Sequence, residues 1–170
     1  MLSQLIIRPE QAADQAAIEQ VIRAAFLSEI YSNQTEHLLV SELRKANALA
    51  ISLVAELDEQ IIGHIAFSKV SIDEEEHNWF GLAPLAVAPQ WQNQGVGTAL
   101  VQTGLKTLQA LEADGCVILG NPHYYGRFGF QATPHLSLAE VPAEYFLGLK
   151  LKEHAVQGAV EYHAAFAICD

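Results

Sequence analysis

The segment from Trp79 to Gly120 limits what this chain can fold into more than any other. WFGLAPLAV is an almost wholly apolar run of strand length, and CVILG is a second. Between them, the glutamine-rich turn QWQNQGVG opens a stretch where Leu100, Val101, Leu105, Leu108 and Leu111 recur at helical spacing. Apolar runs without polar alternation suit strands buried on both faces. Two such strands joined by a helix are parallel neighbours, and their crossover is right-handed. Pro84 lies inside the first run, where it cannot donate to a ladder. A bulge or a locally unpaired stretch is therefore expected there.

The flanks read as further helix and antiparallel strand. A short strand is expected around Leu5–Arg8. Asp14 is a candidate N-cap for a helix carrying Ile18, Val21, Ile22 and Ala25. Thr35 is a second candidate cap, before a helix with an apolar stripe of Leu38, Leu39 and Leu43. SLVAEL and IIGHIAFSKV form an expected hairpin around Asp58-Glu59-Gln60. The run 73-DEEEHN-78 reads as a solvated connection. NPHYYGRFGF reads as a short helix started by Asn121 and Pro122, then a turn into strand. EYFLGLKL and GAVEYHAAFAI read as two final strands, antiparallel to each other. The fold class is α/β, a mixed sheet flanked by helices, in one domain over 1–170.

Composition narrows the function. Half the residues are apolar and 17% are charged, which suits a packed globule rather than a disordered chain. No apolar run approaches the roughly 20 residues of a membrane span. The start, MLSQLIIRPEQ, shows no basic leader before a long apolar segment. Two cysteines, Cys116 and Cys169, make neither a disulfide framework nor a metal cluster. A cytoplasmic protein without membrane partners is expected. Twenty acids against nine bases give a net charge of −11, and the bases are scattered. Nucleic acid, which needs clustered Lys and Arg, is thereby a poor partner, and a cationic substrate suits the field better.

Gly95 and Gly97 stand at a helix start, where unpaired amides and the positive end of the helix dipole lie exposed. Glycines there let the amides around Gln94–Thr98 close on an anion, with dipoles in place of the Lys and Arg that the turn lacks. An ordinary tight turn explains the spacing equally well. The third glycine of the dinucleotide fingerprint and the Gly-Lys-Ser/Thr of the triphosphate loop are both missing.

Taken together, LAPLAVAP, Gln92-Asn93-Gln94-Gly95-Val96-Gly97 and YYGRFGF resemble the motifs of the GNAT superfamily of acyl-CoA-dependent N-acyltransferases. GHIAFSKV and GAVEYHAAF are similar to its small bacterial YhbS-type members. The resemblance implies the GNAT fold, acetyl-CoA as acyl donor, no metal, and a primary amine as acceptor attacked in a ternary complex. It implies that WFGLAPLAV and CVILG splay apart around the pantetheine arm. The backbones of Leu85, Ala86 and Val87 would then line that arm, and the Leu85 amide would face the thioester oxygen. Gln92, Asn93, Gln94, Gly95, Val96, Gly97 and Thr98 would hold the pyrophosphate, with Asn121 near the pantetheine. Tyr125, four residues before Gly129, matches the general-acid tyrosine that protonates the departing thiolate. Tyr124 is its rival, pointing about 100° away on a helix. Dimers are common in the family, which admits a homodimer here.

A general base does not carry over. Trp79, Phe80, Gly81, Leu82 and Ala83 occupy the strand where relatives often place an acid or histidine. Glu29, Glu36, His37, His64 and His77 are candidates elsewhere. His64 in an apolar strand is equally a core histidine, and Glu36 and His37 are equally an exposed helix start. Water carrying the proton away is a further route. Without a base, a non-catalytic acyl-CoA sensor on the same fold is the alternative. A nucleotide-binding protein using the turn for another diphosphate is the third reading.

Overall fold

The computed structural model describes residues 4–153 and 156–170. Strand β1 (Ile6–Pro9) leads through a 3-10 turn (Ala12–Asp14) into helices α1 (Gln15–Phe26) and α2 (Glu36–Lys45). Strands β2 (Ile51–Leu57), β3 (Gln60–Ile72) and β4 (Glu75–Val87) follow as an antiparallel meander. Helix α3 (Val96–Ala110), strand β5 (Gly115–Leu119) and helix α4 (Pro122–Tyr125) come next. The remaining strands are β6 (Gln131–Ala132), β7 (Leu136–Ser137), β8 (Phe146–Lys150) and β9 (Gly158–Glu161), before a 3-10 helix at Ala164–Cys169. The sheet runs β1-β2-β3-β4-β5-β8-β6, and β9 joins β3 to β7. Among the described residues, only β4–β5 and β7–β9 are parallel pairs.

Period-2 alternation along β3 decides which helix covers which face. Gly63, Ile65 and Phe67 face α3: a Cβ on Gly63 would meet Leu100 and Val96, and Phe67 abuts Gly104. Val54 and Ala86 point the other way, into a cluster with Ile18, Val21, Ile22 and Val40 of α1 and α2. The α3 face carries the larger core, including Leu53, Leu82, Leu100, Leu108 and Ile118.

Several expectations need correction. The connection 73–78 shrinks to the turn at Asp73 and Glu74, both at positive φ, while Glu75–Asn78 extend β4. Those residues are polar because β4 there runs past the core, pairing with Ser71 and Ile72 near the sheet's end. The two final strands do not pair with each other: β8 lies beside β5 and β6, and β9 beside β3 and β7. Strand β9 also ends at Glu161, and AAFAIC is 3-10 helix. In α2 the buried stripe is Leu39, Val40 and Leu43, with Leu38 40% exposed. Helix α3 stops at Ala110 and leaves Leu111 in solvent. Neither Asp14 nor Thr35 caps its helix through the side chain. The Asp14 carboxylate instead accepts the Gln11 amide at 2.7 Å and pairs with Arg8 at 2.8 Å.

Gly104 sits inside α3, where alanine would add about 1 kcal/mol of helix propensity. A Cβ there would come within 2.5 Å of the fully buried Phe67 ring, which has no free space to enter. Overpacking of that kind costs about 1–3 kcal/mol and outweighs the propensity gain. Gly104→Ala is therefore expected to lower stability in urea unfolding; an unchanged or raised midpoint would contradict this packing.

Candidate active site

Strand β4 and strand β5 pair only at Trp79–Gly81 against Gly115–Val117. Beyond Gly81 the two diverge, and no strand partner lies along the β5-facing side of Leu82–Val87. Just there β4 carries a bulge: Phe67 pairs with Leu82 but Ile65 pairs with Leu85, so Ala83 and Pro84 oppose Ala66 alone. The Ala83–Pro84 peptide is cis. Leu85 and Val87 pack against the α3-side core, while the Ala86 methyl is buried under α1. Their main chains run along the edge where β4 parts from β5.

The turn after β4 is built by backbone constraints. Pro89–Trp91 form a 3-10 turn, Asn93 lies at φ 62°, and Gly95 lies at φ 89° as N-cap of α3. Gly95 is required by that left-handed φ, since nothing lies within 4 Å of its would-be Cβ. The Gln92 amide donates to the Val87 carbonyl at 3.0 Å, and the Gln94 amide donates to Gln90 at 3.2 Å. Both glutamines thus brace the turn, and the Val87 carbonyl already has one partner. The first helical bond runs from the Ala99 amide to the Gly95 carbonyl at 3.0 Å. The amides of Val96, Gly97 and Thr98, one turn earlier, have no intrahelical acceptor.

Two side chains from α4 and its following turn stand over this helix start. A Cβ on Gly97 would lie 2.8 Å from the Tyr124 hydroxyl, so glycine here lets the phenol come close to the helix start. The Arg127 guanidinium stacks 4.4 Å from the Tyr124 ring centre, and its Nη2 reaches Thr98 Oγ1 at 3.4 Å. Arg127 is exposed and makes no ion pair among the described residues. The turn itself carries no cation, and Arg127 places one beside the helix start. Arg127 is 29 residues from Thr98 in sequence and arrives only through the fold of β5 and α4.

Tyr125 turns the other way. Its ring lies against Gly120, where a Cβ would be 2.6 Å away, and meets Phe130 edge-on at 6.0 Å between centres. Burial, then the neighbouring Tyr124 and Cys116, push its phenol above the ordinary value. Tyr125 is therefore a firmly protonated O–H at the end of β5. Asn121 caps α4, its side-chain oxygen accepting the His123 amide at 2.8 Å.

The candidate bases are spread over several parts of the fold. Glu29 is exposed in the loop after α1. Glu36 accepts the Ser32 hydroxyl at 2.7 and 2.8 Å, near Cys169 of the C-terminal turn, with the half-buried His37 beside it in sequence. His77 lies eight residues before Leu85 on β4, roughly 25 Å away at strand rise. His64 is fully buried on the α1–α2 face, its Nε2 2.8 Å from Ser52 Oγ. Ser52 in turn bonds Glu10, which Arg44 grips at 3.0 Å through two nitrogens. Among the described residues His64 Nδ1, Ser68 Oγ and Trp79 Nε1 have no hydrogen-bond partner, each at a cost of about 1–3 kcal/mol. Among the described residues no group of His, Cys, Asp or Glu is placed to hold a metal ion, and no helix is long and apolar enough to cross a membrane.

A forked parallel strand pair with an amide-rich helix start at its mouth defines an acyl-CoA-type transferase fold. The chain belongs to the GNAT acetyltransferases: the family model described as Acetyltransferase (GNAT) domain matches residues 48–132. The N-acetyltransferase YhbS of Escherichia coli strain K12 is 37% identical over 169 residues, covering 95% of this chain and 98% of that one. A GNAT family acetyltransferase from Brucella melitensis, solved in complex with acetyl-CoA, superposes with a TM-score of 0.86 at 46% identity, covering 95% and 97%. The E. coli YhbS structure, in complex with CoA, gives 0.89 at 35% identity, covering 96% and 92%.

Burial lowers the His64 pKa from 6.5 to about 4; Glu10 opposes the shift and Arg44 assists it. The unfolded chain binds the extra proton first, so this stabilisation is complete above pH 6.5 and is lost as pH falls towards 4. The loss amounts to about 3 kcal/mol at 1.4 kcal/mol per unit. Denaturant titrations from pH 6.5 to 5, above the range where carboxylates protonate, should show the decline. His64→Gln should flatten it, and an equally steep decline in that variant would assign it to other groups.

Proposed function

We propose that this protein transfers an acetyl group from acetyl-CoA to a primary amine by direct attack in a ternary complex. The observation that carries the reading is the continuity of three parts. An amide cluster with an exposed guanidinium adjoins an open strand edge, and a half-buried phenol stands near the end of the facing strand. Relatives solved with acetyl-CoA and with CoA support the same donor here.

In this reading the Val96–Thr98 amides take the pyrophosphate, with Arg127 supplying charge and Tyr124 closing over Gly97. Gln92, Asn93 and Gln94 shape the loop rather than contact the ligand through their side chains. The pantetheine lies along Leu85, Ala86 and Val87, with Asn121 on the opposite rim. The Leu85 amide donates to the thioester oxygen, whose charge grows as the tetrahedral intermediate forms. The amine nitrogen bonds to the carbonyl carbon, the C–S bond breaks, and the sulfur leaves as thiolate beside the Tyr125 O–H.

Magnitudes define what Tyr125 does. Even an ordinary phenol near 10 against a thiol near 8.5 makes complete proton transfer uphill by about 2 kcal/mol, and burial widens that gap. Tyr125 therefore acts chiefly by hydrogen-bonding the thiolate as it develops, with solvent completing protonation. The proton an alkylammonium loses before attack, and the one the nitrogen loses from the tetrahedral intermediate, both leave through water.

Tyr125→Phe is expected to lower kcat by about 10²-fold, the lower end of general-acid effects, with CoA affinity by calorimetry nearly unchanged. Wild-type turnover in that variant would remove Tyr125 from the mechanism. Arg127→Gln should weaken CoA binding by about tenfold and flatten its salt dependence while leaving kcat at saturation intact. Undiminished CoA affinity would show that the amides act alone. Wild-type protein that binds CoA yet releases no thiol with any amine would make the sensor reading the correct one.

A further inference from the structure

Tyr124 and Tyr125 are neighbours in sequence, yet their side chains face different parts of the molecule. Tyr125 turns onto Gly120 and Phe130, whereas the Tyr124 hydroxyl stands on the flank of the first turn of α3. A Cβ on Gly97 would meet that hydroxyl at 2.8 Å and Val87 Cγ2 at 3.8 Å. Tyr124 Oη thus lies where the end of β4 comes closest to the start of α3. In the acetyl-transfer reading, this is where the pantetheine leaves the strand edge and the diphosphate reaches the Val96–Thr98 amides.

The two tyrosines are built as one unit. Their amides donate to the same carbonyl, that of Asn121, at 3.1 and 3.0 Å. Their rings meet edge to face, 4.9 Å between centres at 87°. Phe130 and Phe128 stand farther from the Tyr125 ring, at 6.0 and 6.5 Å, so Tyr124 is its nearest aromatic neighbour. Phe128 also meets Tyr124, at 5.6 Å. Edge-to-face packing constrains the orientation of both partners. A tilt of the Tyr124 ring is therefore passed to the Tyr125 phenol.

Arg127 covers Tyr124 from outside. Its guanidinium lies 4.4 Å from the ring centre, and its Nε donates to the Tyr124 carbonyl at 3.2 Å. The two residues have different parts to play at the helix start. Arg127 contributes charge, which sets affinity for an anion. The Tyr124 hydroxyl contributes a directional donor on a ring that touches Tyr125, so it connects the anion end of the donor with the phenol.

We infer that Tyr124 is a positioning residue: its hydroxyl donates to the diphosphate of the acyl donor, and its ring, fixed in this way, sets the Tyr125 phenol against the departing sulfur. The inference rests on the acetyl-transfer reading and adds a donor preference at the chemical step. Binding energy from a remote part of a substrate raises kcat when it is used to orient the reacting groups. Misplacing such a group by roughly 1 Å costs on the order of 10²-fold. The diphosphate then raises the saturated rate as well as the affinity. S-acetylpantetheine, which keeps the thioester and lacks the diphosphate, turns over more slowly even at saturation.

The test measures thiol release at saturating donor, from acetyl-CoA and from S-acetylpantetheine. The acceptor is the best of an alkyl monoamine, an arylethylamine, an alkyl diamine and a lysine peptide. Wild-type kcat is expected to be about tenfold higher with acetyl-CoA. Tyr124→Phe removes one oxygen and keeps the ring, so the fold is retained. It should lower kcat with acetyl-CoA about fivefold and bring the ratio between the donors to within threefold. In a Tyr125→Phe background the same change should add less than a twofold loss, because it acts through the phenol already removed. A purely structural role for Tyr124 would lower kcat for both donors in equal proportion, and that outcome overturns the inference. Additive losses in the double variant, or equal saturated kcat for the two donors in wild type, overturn it too and leave acetyl transfer standing. Failure of the transfer reading itself shows as wild-type protein releasing no thiol from acetyl-CoA with any acceptor, and this inference falls with it.

Discussion

Two parallel strands that pair for three residues and then part leave main-chain groups without partners, and a sheet tolerates this only where something else can satisfy them. In this protein the parting follows Gly81 and Val117, next to a bulge in which Ala83 and Pro84 oppose a single residue of β3. Proline cannot donate to a ladder, so its place beside the opening is chemically consistent: the strand loses a donor where no strand receives it. Every element of the site takes its position from this fork. Helix α3 begins at its mouth, and α4 closes the end of β5.

The proposed diphosphate site combines fixed backbone geometry with a single cation. A left-handed Gly95 lets the chain turn sharply into α3, and the helix starts with amides that have no partner within it. Tyr124 and Arg127 then approach from a separate segment. Their mutual stacking at 4.4 Å holds a guanidinium beside Thr98 without an opposing carboxylate.

The α1–α2 side has a different character. Arg44 of α2, Glu10 after β1, Ser52 of β2 and His64 of β3 form a continuous polar chain between helix and sheet. For Glu10 burial alone would raise the pKa, yet the bonds from Arg44 and Ser52 outweigh it and hold the carboxyl below its usual value. This network ties four elements together through directional contacts. It also holds His64 fully buried between sheet and helices, bonded to Ser52.

Sequence alone determined the β–α–β core, its bulge at Pro84, the glycine turn and the motif match, because each depends on local periodicity or on residues within one turn of each other. The antiparallel hairpin at Asp58–Glu59 and the cap at Asn121 were legible for the same reason. Tertiary structure decided what joins across long separations. Arg127 comes to Thr98, Tyr124 to Gly97, β9 to β3 rather than β8, and His64 to Ser52. Val40 rather than Leu38 faces the sheet because the helix's rotation is set by what it packs against. Local sequence encodes the dihedrals and the buried stripe of an element, but a contact between distant residues follows from the closure of the whole sheet, which no short segment specifies.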